Sequence, residues 1–438
     1  MTKQMIKASA LVLAPIALLA SCDALDELLS VEEPSRVVAS DLENPNSAQL
    51  LVSSVANEFR CAHTYHATAS ALTGNEWRDA SNNTISNIWD ARIHDTSGYG
   101  SQYAQRDCGD TFSPAIYRPL SRTRWLADYV LGLLNEWTDA DVPDRTALIA
   151  EVAMYAGFTY TLFAESMCEL VVVENGPVVS PAEAFGVALQ RYDQSAAAGA
   201  SGDLLNAVRV GKARTELNLG QTSAAAATAS AVPEGFEWLL EYSGAESVTK
   251  NKQWEFNVDN NMVTVAEPYR DFPCNFPWPD DMMSDCMREL DPRVAVTDQG
   301  RGHPNTEIAL WFAEKYQSAS SPVQLASWEE AQLIIAEAAI EAGNYGQASS
   351  IFNTLRANAG LSPHMASMDM SGMMDQLIEE RAAELFLEGH HLWDLRRLGV
   401  RPYPPIGQDD GFGAVYGNQL CFDLPATEFQ NNTTITGG

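Results

Sequence analysis

Positive charge is scarce in this sequence of 438 residues. Lysine and arginine together number 27 against 58 aspartates and glutamates, so the formal net charge is −31. A field of this sign repels nucleic acids and other polyanions, and we expect no nucleic-acid partner. The acids are spread through the chain, which is typical of a solvated surface in salty surroundings, where ions screen self-repulsion beyond about 10 Å.

The short motifs of the common enzyme classes are missing as well. No GxSxG, HExxH, P-loop or GxGxxG pattern occurs, and the seven histidines are scattered. We therefore predict that the protein is not an enzyme and has no catalytic residues, no cofactor and no metal site. Asp280 and Asp281 are adjacent acids that calcium could use, but they lack EF-hand spacing. Because carboxylates are plentiful, composition leaves a surface glycoside hydrolase open as an alternative.

Long apolar runs are absent apart from the one at the N-terminus. Lys3 and Lys7 precede an apolar run from Ala8 to Ala20, which is too short to span a bilayer and has the layout of a secretory signal. The run ends in Leu-Ala-Ser-Cys, which resembles the lipobox of bacterial lipoproteins, in which the cysteine, here Cys22, is lipidated. The predicted divisions are a signal peptide at 1–21, the lipidated cysteine and a flexible tether at 22–40, and one domain at 41–438.

The acidic residues just behind Cys22 resemble the surface-export signal of Bacteroidota lipoproteins. Acyl chains on this cysteine would make a stable membrane anchor. We therefore expect an outer-membrane protein that is lipid-anchored and faces the cell exterior.

Six cysteines remain after Cys22, none of them in a CxxC pair. An even number in an exported chain suggests disulfides rather than metal ligation, although six cysteines allow 15 connectivities. Local pairing favours Cys61 with Cys108 and Cys274 with Cys286, which leaves Cys168 with Cys421.

The rest of the chain has a mainly helical pattern. Ala48, Leu51 and Val55 fall at spacings of three and four, which places them on one helix face. Ser180 and Glu183 have the spacing of a capping box, which marks a helix start. The predicted fold class is mainly α with little β.

Two stretches, 207–232 and 328–361, share one layout. Each has a helix, a short break and a second helix rich in small residues, with glycines such as Gly343 and Gly360 suited to helix C-termini. The layout resembles tetratricopeptide (TPR) repeats. It predicts TPR-like helical pairs that form a scaffold.

Two long segments, about 73–112 and 235–322, are irregular and rich in aromatic residues. Prolines at 268, 273, 277 and 279 exclude a long helix in the second. Loops of this length on a helical scaffold are either functional or disordered, and the aromatic content argues against disorder. We expect ligand contacts in these segments.

Residues 380–399, ERAAELFLEGHHLWDLRRLG, combine two histidines, several acids and three arginines. A helical metal site would need histidines four residues apart on one face, whereas His390 and His391 are adjacent. We interpret the stretch as an ion-pair and packing clasp in which arginines meet the glutamates.

The same stretch resembles the C-terminal signature of SusD/RagB-type outer-membrane nutrient-binding lipoproteins. The segment 331–361 and the ending Leu-Pro-Ala-Thr-Glu-Phe-Gln-Asn-Asn are similar to other parts of that family. His391 stands where the family usually has arginine, so we expect one ion pair of the clasp to be missing or to depend on pH. The matching signature residues are Glu380, Arg381, Glu384, Leu385, Glu388, Gly389, Asp394, Leu395, Arg397 and Gly399.

The resemblance implies a cell-surface protein that binds glycans and passes them to a SusC-like TonB-dependent outer-membrane transporter. A peptide ligand, as in some branches of the family, is the alternative, and a TPR-type interaction scaffold is a further one. A sugar site needs aromatic platforms flanked by hydrogen-bonding side chains. Any one of these rings could instead have a structural role and be buried in the core of its loop. The candidate ligand-binding residues are Trp77, Arg78, Asn82, Trp89, Tyr99, Tyr269, Trp278, Asp280 and Trp311.

Overall fold

The computed structural model describes residues 43–94, 107–109, 114–277, 288–365, 367 and 369–435. Residues 1–47 form a unit of their own, of which the described part holds a 3-10 turn at Pro45–Ser47. A second compact unit begins at Ala48. The predicted signal peptide, Cys22 and most of the tether lie outside the described residues.

Helices make up most of the second unit, as the sequence predicts. Three of them have 20 or more residues, and the longest, α1, has a buried C-terminal half. The helices of six or more residues are α1 (Ala48–Thr73), α2 (Thr84–Asp90), α3 (Tyr117–Glu136), α4 (Arg145–Ser166), α5 (Pro181–Ala197), α6 (Gly202–Asn218), α7 (Thr222–Ala229), α8 (Trp328–Glu341), α9 (Tyr345–Asn358), α10 (Met370–Glu384), α11 (His391–Leu398) and α12 (Ala426–Asn431).

The predicted TPR-like pairs are α6 with α7 and α8 with α9. In each pair the two helices are joined by a short connection and pack against each other. Helix α5 begins with the predicted capping box, in which the Ser180 hydroxyl accepts from the Glu183 amide and the Glu183 side chain accepts in return. Tyr192 of α5 occupies the space left by Gly157 of α4 and Gly211 of α6. A Cβ on either glycine would lie about 2.6 Å from the tyrosine, so these helices pack closely because the glycines are small.

Helix α4 is long and apolar enough by composition to cross a membrane, a point that the sequence analysis did not anticipate. In the structure, however, 89% of its apolar window is buried inside the protein. The helix is surrounded by α1, α3 and α5. Its apolar character is therefore explained by its place in the core.

The connections between the helices contain four two-stranded antiparallel sheets in the part of the chain that the structure describes. Strand β1 pairs with β5, β2 with β3, β4 with β8 and β6 with β7. Three cis X-Pro bonds, at Pro273, Pro277 and Pro404, lie in these connections and near the C-terminal motif. The strands are β1 (Trp77–Asp79), β2 (Leu170–Val171), β3 (Val178–Val179), β4 (Glu237–Leu240), β5 (Val263–Val265), β6 (Val296–Gly302), β7 (Ala309–Ala313) and β8 (Val323–Ser327).

The clasp predicted for residues 380–399 is confirmed by its ion pairs. Asp394 accepts from the Arg381 Nε at 2.8 Å and from the Arg397 Nη2 at 3.0 Å. Arg397 also pairs with Glu337 of α8. Burial opposes the charge on Asp394, but the two arginines outweigh it and hold the pKa of the carboxyl below its usual value. The charges are thus matched inside the fold, as buried ions must be.

His391 belongs to the packing of the clasp and not to its charges. Burial lowers the pKa of His391 to about 4, so the ring is neutral at pH 7. It packs edge-on against Tyr269, with ring centroids 5.8 Å apart. Because a neutral imidazole forms no ion pair, the pair expected from the family pattern is missing at neutral pH.

Disulfides tie distant parts of the chain together. Cys61–Cys108 and Cys168–Cys421 are both formed, as predicted. Cys274 is also disulfide-bonded, and its predicted partner Cys286 lies outside the described residues.

The C-terminal segment, residues 403–432, packs back on the N-terminal half of the unit. Arg92 donates from Nη1 to the Tyr403 carbonyl at 3.0 Å, and it also donates to the Pro404 carbonyl. Phe422 bridges to Met167 beside the Cys168 disulfide. Asn432 donates to the Gly176 carbonyl at 2.8 Å.

Candidate functional site

The first irregular segment opens with strand β1, which directs Arg78 away from the core. Trp77 pairs with Val265 and Arg78 with Thr264 in the antiparallel ladder to β5. Side chains alternate along a strand, so Trp77 and Asp79 are buried while Arg78 is half-buried at the surface.

Strand β7 brings Trp311 to the same place. The Thr264 hydroxyl donates to the Ala309 carbonyl at 3.0 Å and accepts from the Trp311 amide at 2.8 Å. The Trp311 carbonyl accepts from the Asn257 side chain at 3.1 Å. This threonine therefore joins β5 to β7 and fixes the tryptophan beside the β1–β5 ladder.

Two charged residues connect Arg78 to Trp311. Arg78 Nη1 donates to Glu267 Oε1 at 2.8 Å, and Arg270 Nη1 lies 3.5 Å from the same oxygen. The Arg270 guanidinium lies over the Trp311 ring, 5.3 Å from its centroid. We call these four side chains the Arg–Trp row.

The Arg–Trp row is half-buried and charged along its length. Burial disfavours the charge on Arg78, but Glu267 and further acidic neighbours outweigh it and raise the pKa of the guanidinium. Burial lowers the pKa of Arg270. Exposed Asp298 lies directly opposite Trp311 in the β6–β7 ladder. The row thus presents donors, acceptors and part of an indole, the groups that bind hydroxyl-rich ligands.

Three predicted platform rings are in the core, and this corrects the sequence analysis. Trp77, Trp89 and Tyr269 are each about 1% exposed. Trp89 packs edge-on against Phe422, with centroids 4.7 Å apart, and Tyr269 stacks on Phe386 at 5.0 Å. Large rings remove much apolar surface from water when buried, so these three hold the loops to the scaffold.

The other predicted residues have different positions. Asn82 is exposed at the turn between β1 and α2, with a φ of 58° that asparagine tolerates. Tyr99, Trp278 and Asp280 lie outside the described residues. Of the candidates that the structure describes, it brings together Arg78 and Trp311.

Glu267 and Arg270 complete the row, and neither was predicted from the sequence. Their signal is the string Glu-Pro-Tyr-Arg, in which a glutamate and an arginine stand three residues apart on a 3-10 turn. Proline in the first turn also indicates such a helical start.

Buried acids lie behind strand β1. Burial raises the pKa of Glu76 to about 8, of Asp79 to about 7 and of Asp90 to about 8. Glu76 Oε1 accepts from the Leu387 amide at 2.7 Å, and Asp90 Oδ2 accepts from the Asp79 amide at 3.0 Å. Glu76 therefore links the start of β1 to the clasp.

Metal ligation finds no support in the described parts of the chain, where no group of three or more His, Cys, Asp or Glu side chains is placed to hold an ion.

Known proteins resemble this chain in sequence over one segment and in fold over most of its length. Residues 330–433 match the model of the SusD family. A SusD superfamily protein from Bacteroides vulgatus superposes with a TM-score of 0.66 at 13% identity, covering 89% of this chain and 98% of that one. One from Parabacteroides distasonis gives 0.65 at 13%, covering 91% and 98%.

A SusD-like carbohydrate binding protein from Bacteroides vulgatus superposes with a TM-score of 0.64 at 12% identity, covering 90% of this chain and 97% of that one. By sequence, no curated protein matches the chain. The likeness to solved structures is one of fold.

Proposed function

From the SusD-like fold and the SusD family match over residues 330–433, we propose that the protein is a cell-surface lipoprotein that binds glycans and delivers them to a TonB-dependent outer-membrane transporter. The match of residues 330–433 to the SusD family supports the class of binding protein. A structural neighbour is a carbohydrate binding protein. The observation that carries the proposal is the Arg–Trp row.

The Arg–Trp row suits a sugar for a geometric reason. A sugar ring has weakly polar faces and a rim of hydroxyls, so it needs an apolar surface beside groups that both donate and accept. Trp311 supplies the surface, and Arg78 and Glu267 supply the rim contacts. Two residues of the row lie on short strands and the other two at a 3-10 turn. The buried rings Trp77 and Tyr269 hold these segments to the core, which pre-organises the row.

The overall charge favours some glycans over others. With a net charge of −31, the protein repels sulfated and uronic polymers and accepts neutral glycans more readily. Polygalacturonate should therefore bind much more weakly than neutral polysaccharides when no divalent cation is present. Tight binding of polygalacturonate in a chelating buffer would refute this preference.

Attachment to the outer membrane rests on Cys22. The N-terminal pattern supports lipidation, which would hold the folded unit at the surface close to a transporter. A Cys22→Ala variant should leave the membrane fraction of the producing cells. Retention of that variant in washed outer membranes would contradict anchoring by the lipid.

The test uses the chain from Asp23 onward, mixed with amylopectin, galactomannan, arabinoxylan and laminarin. Binding is measured by affinity electrophoresis and by isothermal titration calorimetry. Trp311→Ala should weaken binding about fivefold, the equivalent of about 1 kcal/mol for an aromatic contact. Trp238→Ala is the matched control, because Trp238 is also a half-buried strand tryptophan but lies outside the row.

The outcomes separate the candidate functions. Binding that Trp311→Ala weakens, without release of shorter sugars, would support a glycan receptor. Release of products would favour a glycoside hydrolase. Binding of peptide pools instead of polysaccharides would keep the fold and change the ligand class.

A further inference from the structure

A second aromatic surface lies on helix α3, which is not part of either irregular segment. Trp125 keeps 50% of its surface exposed, although its ring stacks on Tyr129 one turn later. The two rings are parallel within 5°, with centroids 5.2 Å apart. Tryptophan is highly buried on average, so a half-exposed indole held flat by a stacked partner is an unusual surface feature.

A cavity of about 590 Å³ lies beside this tryptophan. Its walls come from α3, from the connection between β2 and β3, and from α12. A volume of this size is typical of sites for small ligands. None of these walls belongs to the Arg–Trp row.

The charges that line the cavity are balanced. Arg122 and Arg124 are matched in number by Glu174 and Glu428. Arg122 is already paired with Asp107 at 2.6 Å, outside the cavity lining. The cavity therefore has no excess of positive charge, which favours an uncharged ligand over an anionic one.

Arg124 forms a mostly buried part of the cavity wall. The residue is 8% exposed and lines the cavity. Its Nη1 donates to the Val172 carbonyl at 2.6 Å, and Asp128 lies 3.8 Å away. The protein's own groups therefore hold this guanidinium in place in the wall.

The amides of Asn175 and Asn431 complete the cavity lining with groups that both donate and accept. The half-exposed indole and the two amides together match the face of a sugar ring and its hydroxyls. We propose that the cavity beside Trp125 is a second glycan-binding site for a neutral oligosaccharide, independent of the Arg–Trp row. That the ligand of this second site is a glycan rests on the proposed function, whereas the position of the site beside Trp125 does not.

The test compares Trp125→Ala and Trp311→Ala, singly and combined, on amylopectin, galactomannan, arabinoxylan and laminarin. Trp125→Ala should weaken binding to at least one polysaccharide about fivefold, and the double variant should lose more than either single variant. Asn431→Ala, an exposed change in the same lining, should weaken the same polysaccharide. Trp137→Ala is the control, because Trp137 caps the C-terminus of the same helix outside the cavity.

Loss of binding in Trp311→Ala alone, with Trp125→Ala and Asn431→Ala unchanged, would overturn this inference and leave the proposed function standing. Loss in Trp125→Ala alone would support this site and count against the Arg–Trp row. No binding by the unsubstituted protein to any of the four polysaccharides would overturn both. Unchanged glycan binding together with loss of a co-purifying outer-membrane protein would identify the surface as a protein contact and overturn the inference.

Discussion

Replacing Glu76 by glutamine should stabilise the protein at neutral pH, although it removes an acid that holds the clasp. Glu76 Oε1 accepts from the Leu387 amide at 2.7 Å, and its Oε2 is buried without a hydrogen-bond partner among the described residues. Leu387 itself has a φ of 60°, a conformation that a branched residue adopts only when its surroundings enforce it. Glutamine keeps the accepting oxygen and removes the ionisable group.

The size of the effect follows from the pKa of Glu76. Burial raises this pKa from 4.5 to about 8. Between these two values the folded state holds a proton that the unfolded state releases, so stability falls as pH rises. The loss is about 1.4 kcal/mol per pH unit, or about 3 kcal/mol at pH 7. At pH 4 both states carry a neutral Glu76, and the loss is absent.

The unfolding free energy is measured by equilibrium urea unfolding, followed by tryptophan fluorescence, at pH values from 4 to 8.5. The difference in unfolding free energy between Glu76→Gln and the unsubstituted protein should be small at pH 4 and grow to about 3 kcal/mol in favour of the variant at pH 7. Glu234→Gln, at an exposed site, controls for the loss of one negative charge. Parallel curves for Glu76→Gln and the unsubstituted protein would show that this carboxyl does not titrate abnormally.

Three further predictions concern the clasp and the longest-range disulfide. Arg381→Ala should cost about 3–5 kcal/mol in urea unfolding, because Asp394 stays buried with one partner fewer, and Arg381→Met with Asp394→Leu should cost less. The unsubstituted protein should lose about 2 kcal/mol of unfolding free energy between pH 7 and pH 5, because unfolded His391 takes up a proton near pH 6.5 and folded His391 only near pH 4. His391→Gln should remove this loss. Cys168→Ser with Cys421→Ser should cost about 4 kcal/mol and lower the Tm in calorimetry, because the bond closes a separation of 253 residues.

Each of these has an outcome that would contradict it. Equal losses in the single and double clasp variants would mean that charge pairing is not the cause. A pH profile for His391→Gln that follows the unsubstituted protein would show that the imidazole is not held neutral. An unchanged Tm after removal of the disulfide would mean that the other contacts of the C-terminal segment suffice.

The helix boundaries could be predicted from the sequence because their signals are local. The capping box at Ser180 and the glycines that end α8 and α9 act over a few residues, so they mark helix boundaries without knowledge of the fold. The two-stranded sheets were not predicted individually. The strands have only two to seven residues. Two of the sheets, β1 with β5 and β4 with β8, also pair across long separations, and such pairing has no local signature.

The candidate site was predicted only in part, because it also depends on contacts between residues that are far apart in the sequence. A tryptophan in an irregular segment can be a platform or loop core, and the choice depends on the neighbours it meets. Trp89 meets Phe422, more than three hundred positions away, and is buried, whereas Trp311 meets Arg270 and stays partly exposed. Trp125 lies on a regular helix, outside the irregular segments in which the sequence predicts ligand contacts.

The way residues 403–432 fasten onto the N-terminal half bears on how the protein is made. Translation adds these residues after every group they contact, including Arg92, Cys168 and Gly176. Until they emerge, the ends of α2 and α4 lack partners, and the nascent chain has no complete core. A chain that ends before residue 403 lacks these contacts, so it should unfold at a lower urea concentration than the full chain.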